Sequence, residues 1–408
     1  MDRRHLSDPG ELALLTVQQY LRENGYEQAL QAIERSTGVA YVEEKLPRGS
    51  MLLEMIHEKM EREIAEDLTD LELADRAEDE ELLRSDARDW PHKDPTAVDG
   101  LHTSNILAVT LWMDEGLAFT GSGDRTVRCL HIGSKTERWS RSLDDGAILA
   151  LALHPSPGEE PWLLASCMGG SVHLLHARSG EHANSVKAHT KYVHRVCWAA
   201  EGALFASASF DASLRVFEWP ADPDLRASPL TEAWNAIFPS TVEDIQLLKD
   251  SRQEAVLAVA TQNNHCLHLL DLCARKELPK VNMNAHGDSH VSFVAKHLAL
   301  SACAKYLLVS TDIGRILMLN TSSWRQVRNF YGLPCEQFSN PCAAFSPSCQ
   351  NVYAIATGGQ VWVFQVSSGK VVAKLDAHAI NVRYLQVDAR HGCLATCSYD
   401  KTVKLWPC

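Results

Sequence analysis

The chain has 408 residues, 45% of them hydrophobic, and a formal net charge of −13 at pH 7, with nearly all of that acidity in the first hundred residues. Such a composition can build a large buried core, and the near balance of charge after residue 100 argues against the broad basic footprint of a nucleic-acid binder. No run approaches the roughly 20 apolar residues that cross a bilayer, and the first ten residues are charged, so the sequence predicts no membrane partner and a cytoplasmic and/or nuclear location.

Taken in chain order, Leu14, Val17, Tyr20 and Leu21, then Tyr26, Ala29, Leu30 and Ile33, fall three and four apart and predict two short helices. Asn24-Gly25 separates them, with Gly25 where a helix ends in the left-handed conformation. The order Leu-x-x-Val-x-x-Tyr-Leu-x-x-x-Gly-Tyr-x-x-Ala resembles the LisH motif, here within residues 1–40. That resemblance implies homodimerisation through the eight apolar residues just named, because two helices this short bury too little to stand alone. Packing of the same stripe against the rest of the chain is the alternative.

Residues 41–89 follow as an acidic spacer and linker. Met51 to Arg88 reads helical, with Leu52, Ile56, Met60, Ile64 and Leu68 at steps of four but no sustained heptad. Trp90-Pro91 and Asp94-Pro95 mark the passage into the next domain.

From residue 90 to 408 the chain repeats. His102, Ser122 and Asp124; His189, Ser209 and Asp211; and His378, Ser398 and Asp400 share one spacing, the Ser 20 and the Asp 22 residues after the His. Six residues beyond each Asp stands a large apolar residue, Leu130, Phe217 or Trp406, and the same ruler finds degenerate copies at Leu175, Leu270, Leu319 and Phe364. Steps of 45, 42, 53, 49, 45 and 42 residues separate the seven marks. Short apolar runs between turn residues, such as Val382–Val387 and Leu394–Ser398, predict strands buried on both faces. The stretches Pro220–Pro229 and Leu247–Glu254 read as extended loops.

These units resemble WD repeats, with the Gly-His pair degraded to Leu101-His102, Ala188-His189, Ala285-His286 and Ala377-His378. The resemblance implies a mainly β protein, a seven-bladed β-propeller behind a small helical region. The last unit ends after a third strand, so a segment within Trp90–Leu101 is expected to supply the fourth and close the ring. The resemblance also implies that each Asp accepts from its His and from backbone N–H groups while the Ser bridges toward the Trp position, Trp406 in the last unit.

His, Ser and Asp are also the residue types of a hydrolase triad. One set per unit at one spacing suits a structural network better than a single catalytic centre, so no catalytic residue is assigned. Neither a cofactor nor a metal is expected: Gly121-Ser122-Gly123-Asp124 lacks the P-loop lysine, and Cys393 and Cys397 lack a second ligand pair. The twelve scattered cysteines read as reduced thiols.

In WD propellers partners meet the upper face at positions three and five after the structural His and one before the Asp. Carried over, these are Asn105, Leu107 and Gly123; Tyr192, His194 and Phe210; Asn381, Arg383 and Tyr399. The expected function is a non-enzymatic scaffold, homodimeric through LisH, that recruits a protein or peptide as a subunit of a multiprotein complex. A ubiquitin-ligase substrate receptor or core subunit is the alternative, suggested faintly by Leu175-His-Ala-Arg178. Dynein/microtubule, transcriptional corepressor and splicing complexes are further settings for such a chain.

Overall fold

The structure is a computed structural model that describes residues 9–40, 76–85, 89–91, 94–156, 161–220, 228–251, 253–284, 291, 293–334 and 340–407. Helix expected over 51–75, the Ala285-His286 pair and most of the loop at 220–229 lie outside the described residues. Two compact units are present, Met1–Glu78 and Asp79–Cys408.

In the first unit, helices Pro9–Glu23 and Glu27–Thr37 are separated at Gly25. Gly25 has φ +76°, a region an L side chain resists, and the turn is locked by Tyr26 N–H donating to Leu21 O at 2.8 Å. Leu15, Thr16, Gln18, Gln19 and Leu30 are buried. The Leu14, Val17, Tyr20, Leu21 and Ile33 positions are half-buried, whereas Ala29 and Tyr26 are exposed.

The second unit is built from seven four-stranded antiparallel sheets. Blades 1 to 6 occupy residues 106–142, 148–187, 193–237, 242–282, 295–330 and 343–376, in sequence order. Blade 7 takes three strands from 382–407 and its outermost strand from Thr96–Val98. There Thr96, Ala97 and Val98 pair with Leu405, Lys404 and Val403, so the segment before blade 1 closes the circle. The seam is apolar as well as hydrogen-bonded: Ile106, Val109 and Leu130 of blade 1 share a buried cluster with Ala395, Cys397 and Leu405 of blade 7.

Leu130, Leu175, Phe217, Leu270, Leu319, Phe364 and Trp406 all fall in third strands, each at the next-to-last residue. All seven are buried, since each third strand lies between neighbouring blades. Leu247–Glu254 corrects the sequence reading: residues up to Asp250 belong to the strand Val242–Asp250, and Asp250 pairs with Ala255 across a short hairpin. Polar residues such as Lys249 and Asp250 close the strand rather than a loop, which is why composition misled.

A strap leads into the ring. Residues 76–84 are helical; Leu82 and Leu83 pack on the buried cluster shared by blades 5 and 6, and Asp79 accepts from Asn320 Nδ2 at 3.3 Å and pairs with Arg325. Asp89 then accepts from Ser348 N–H at 3.0 Å and from the Asn351 amide, while Tyr353 donates its hydroxyl to Asp89 O at 3.0 Å.

First strands of successive blades neighbour one another around the ring and line a central channel. Six of them carry a β-bulge one residue in from the upper end, at Leu107, Leu149, His194, Glu243, Lys296 and Arg383. A bulge re-aims the extra side chain, so these six positions ring the channel mouth.

Candidate interaction face and central channel

The three complete repeats fold into one hydrogen-bonded set. In blade 1, His102 Nδ1 lies 3.0 Å from Asp124 Oδ2 and its Nε2 lies 2.8 Å from Thr120 Oγ1. Asp124 also accepts from Thr103 N–H at 3.0 Å and from the Thr126 hydroxyl at 2.6 Å. Blade 3 repeats this with His189, Asp211, Ser207 and Ser213, and blade 7 with His378, Asp400, Thr396 and Thr402.

Ser122, Ser209 and Ser398 have a different role from the one the resemblance implied. Ser398 accepts from Asp400 N–H at 3.1 Å and donates to Asn381 O at 2.9 Å, fastening the upper turn. The link to the tryptophan is made two residues earlier, where Trp406 Nε1 donates to Thr396 Oγ1 at 3.2 Å. Sequence reasoning missed Thr120, Ser207 and Thr396, although a hydroxyl residue two before each Ser was the available signal. Residues two apart in a strand share a face, and the earlier hydroxyl of each pair is the one that bonds the His ring.

Hydroxyl, imidazole and carboxylate therefore stand in relay order, but Thr120, Ser207 and Thr396 are each 0% exposed and no substrate atom can reach them. Burial lowers the pKa of His102, His189 and His378 despite the neighbouring carboxylates, keeping the rings neutral. Burial would raise Asp124, but the Thr126 hydroxyl, His102 and the Thr103 N–H outweigh it and hold the acid at about 2.

On the upper face, where second strands join third strands and fourth strands join the next blade, the expected contact residues are brought near one another. Tyr192 stacks on Phe210 with ring centroids 4.3 Å apart, and His194 meets Phe210 edge-on at 5.0 Å. These rings cover one another and are half-buried. Asn105 and Asn381 are exposed, while Leu107, Gly123, Arg383 and Tyr399 are half-buried. Around the mouth, His194 Nε2 bonds Glu243 O, and Lys296 Nζ pairs with Glu243 Oε1 at 2.8 Å. The Arg383 side chain makes no hydrogen bond or ion pair with any described residue.

Below the mouth sits a polar cluster that the spacing did not announce. Arg195 Nε donates to Asp244 Oδ1 at 2.6 Å, with its guanidinium 4.9 Å from the Tyr384 ring centroid. Asp244 Oδ2 accepts from Leu298 N–H at 2.7 Å, and His297 Nε2 lies 3.3 Å from Cys342 Sγ. Arg195 and Tyr384 each stand six residues after a structural His, so extending the ruler by one position would have found them. Cavities of about 310 and 150 Å³ adjoin the cluster, both lined by His297 and Tyr384. Burial pushes the Cys342 thiol up to about 12 and His297 down to about 4, the reverse of what a thiolate nucleophile requires. On Asp244, burial is outweighed by Arg195, His297 and the Leu298 N–H, and its pKa is lowered.

Among the described residues no group of three or more His, Cys, Asp or Glu side chains is placed to hold a metal ion, and no helix is long and apolar enough to cross a membrane. Arg178 is occupied on the lower face, bonding Glu115 at 2.9 Å with its guanidinium 5.1 Å from the Trp112 ring centroid.

A closed ring of seven sheets with the His–Asp–hydroxyl set in its turns defines a WD-repeat β-propeller. The family model for the WD domain, G-beta repeat, matches residues 180–218 and 369–407. Those stretches end in blades 3 and 7, two of the three with the complete set. The chain is similar to WD repeat-containing protein 90 of Homo sapiens, 24% identical over 281 residues, covering 66% of this chain and 15% of that protein. It is also similar to WD repeat-containing protein 82 of Drosophila melanogaster, at 22% over 227 residues, 55% of this chain and 67% of that one. The Serine-threonine kinase receptor-associated protein of Homo sapiens is 22% identical over 200 residues, 47% of this chain and 54% of its own length. WD-repeat propellers of this kind are typically protein-interaction scaffolds.

Proposed function

We propose that this protein is a non-enzymatic scaffold whose upper propeller face recruits a protein or peptide, and that its N-terminal LisH-like helices join two copies. One observation carries the reading. Among the described residues of the ring, the exposed large apolar side chains are Met168, Ile237, Val291, Ile313, Tyr331, Val372 and Ile380, and all but Val372 lie in upper connections or at the strand ends that lead into them. Apolar side chains gathered on one face cost solvation unless something covers them. Arg383 among them supplies a cation for an acidic group of the partner, and arginine is enriched at interface hot spots. Two copies held by Leu14, Val17, Tyr20, Leu21, Tyr26, Ala29, Leu30 and Ile33 turn a weak contact at each ring into avidity.

The test compares proteins co-purifying with the native chain and with an Arg383→Glu/Ile380→Asp variant, alongside sedimentation of the native chain and an Ala29→Glu/Tyr26→Asp variant. The reading expects partner loss in the first variant without a change in melting temperature, and a native dimer that the second variant splits. Partners retained by the first variant would place the site elsewhere, and a native monomer at micromolar concentration would remove the dimer.

A further inference from the structure

The third and fourth strands of blade 2 run one residue out of step. Leu174 faces Asn184, but the next residue, Leu175, faces His182, so Ala183 is the extra residue of a bulge. Without it His182 would stand opposite His176. The bulge moves His182 onto the face that Leu175 shares with His173, two residues back along the strand Ser171–His176. A diagonal pair of this kind is within reach of long side chains.

Blades 1 and 3 carry the same bulge, after Cys129 and after Val216, and fill the same two positions with opposite charges. Arg128 Nη1 meets Glu137 Oε2 at 2.7 Å, and Arg215 Nη1 meets Glu232 Oε2 at 2.7 Å. Blade 2 places an imidazole at each position instead. His173 Nδ1 lies 3.0 Å from His182 Nε2, with ring centroids 5.3 Å apart and the rings inclined at 60°. His182 is exposed and His173 half-buried. Where the sister blades hold an ion pair, this blade brings two metal-ligating nitrogens together at the surface.

We propose that His173 and His182 are a chelate for a divalent transition ion of the late first row, with water filling the remaining positions. Imidazole nitrogens sit about 2.0–2.1 Å from such an ion, so the 3.0 Å separation subtends roughly 90–100° at the metal. That is the angle between neighbouring ligands of a tetragonal ion, copper(II) or nickel(II). A tetrahedral zinc site would need the two nitrogens about 3.3–3.4 Å apart. Neither ring holds a second proton that a metal must displace at pH 7. Burial and the neighbouring imidazole push His173 down to about 4, and burial and Arg141 lower His182. Without metal one ring donates to the other; His182, open to water, changes tautomer to free Nε2 as a ligand.

The untagged full-length protein is titrated with nickel(II) chloride by calorimetry, beside His182→Gln and beside His173→Arg/His182→Glu, which installs the ion pair of blades 1 and 3. Nickel(II) is the probe because, unlike copper(II), it does not oxidise the chain's twelve cysteines. The native protein should bind one ion more than either variant, and the double variant should keep the native circular dichroism and melting temperature. Equal uptake by the native protein and the folded double variant overturns the proposal and leaves the pair a hydrogen bond between neutral rings. Should the double variant fail to fold, His182→Gln, altered at an exposed position, decides in the same way.

Discussion

Asp244→Ala isolates the energetic role of the channel cluster. Asp244 is 1% exposed and accepts from both Arg195 and the buried Leu298 N–H. Its removal strands a guanidinium whose side chain is 14% exposed, beside the Tyr384 ring. Breaking a buried ion pair from one side costs about 3–5 kcal/mol. For a unit of about 330 residues, an unfolding entropy near 2 cal/mol/K per residue turns that loss into a fall of roughly 4–7 °C in melting temperature. Arg195→Met in the Asp244→Ala background should regain part of it, because the uncompensated charge goes too. Thermal melts of the native chain, both single variants and the double variant close the cycle. Asp244→Ala melting within 1 °C of native, or Arg195→Met costing the same in both backgrounds, would refute the reasoning.

Three further outcomes are expected. Thr396→Val leaves Trp406 Nε1–H and His378 Nε2 without their shared hydroxyl and should cost about 1–3 kcal/mol, read by chemical denaturation; an unchanged midpoint would show that the hydroxyl contributes nothing. Acid should lower the melting temperature: below the ordinary histidine value of 6.5 the unfolded chain takes protons that His194 and His297 refuse until about 4, and Asp124 adds to the loss below 3.8. An equal or higher melting temperature at pH 5 than at pH 7.5 contradicts that sign. A chain beginning at residue 79 should melt like the native ring, whereas one beginning at residue 102 lacks Thr96–Val98 and should melt lower with a broader transition; identical melts would deny the clasp.

The ring was legible because its marks are periodic. Leu130, Leu175, Phe217, Leu270, Leu319, Phe364 and Trp406 answer to one ruler, since each blade must bury the same point of its third strand. Closure by a segment before blade 1 followed from counting strands after Asp400. What escaped depends on contacts between blades, which no single-blade spacing encodes. Arg195 finds Asp244 one blade away and Tyr384 on the innermost strand of blade 7. Thr396 was passed over in favour of Ser398 because spacing fixes which residues recur, but not which of two hydroxyls on one strand face bonds the His ring.

The strap has a mechanical consequence. Tension on the N-terminal helices travels along the backbone toward Thr96–Val98, three residues whose pairing closes the circle. Before it arrives there it meets Asp79 on Asn320 and Arg325, Leu82 and Leu83 in the blade 5 and 6 cluster, and Asp89 on Ser348 and Asn351. A pull is therefore taken up across two blades that have complete sheets of their own. The strap acts as strain relief for the seam, and force enters the propeller through blades 5 and 6 before it reaches the clasp in blade 7 that it would otherwise unzip.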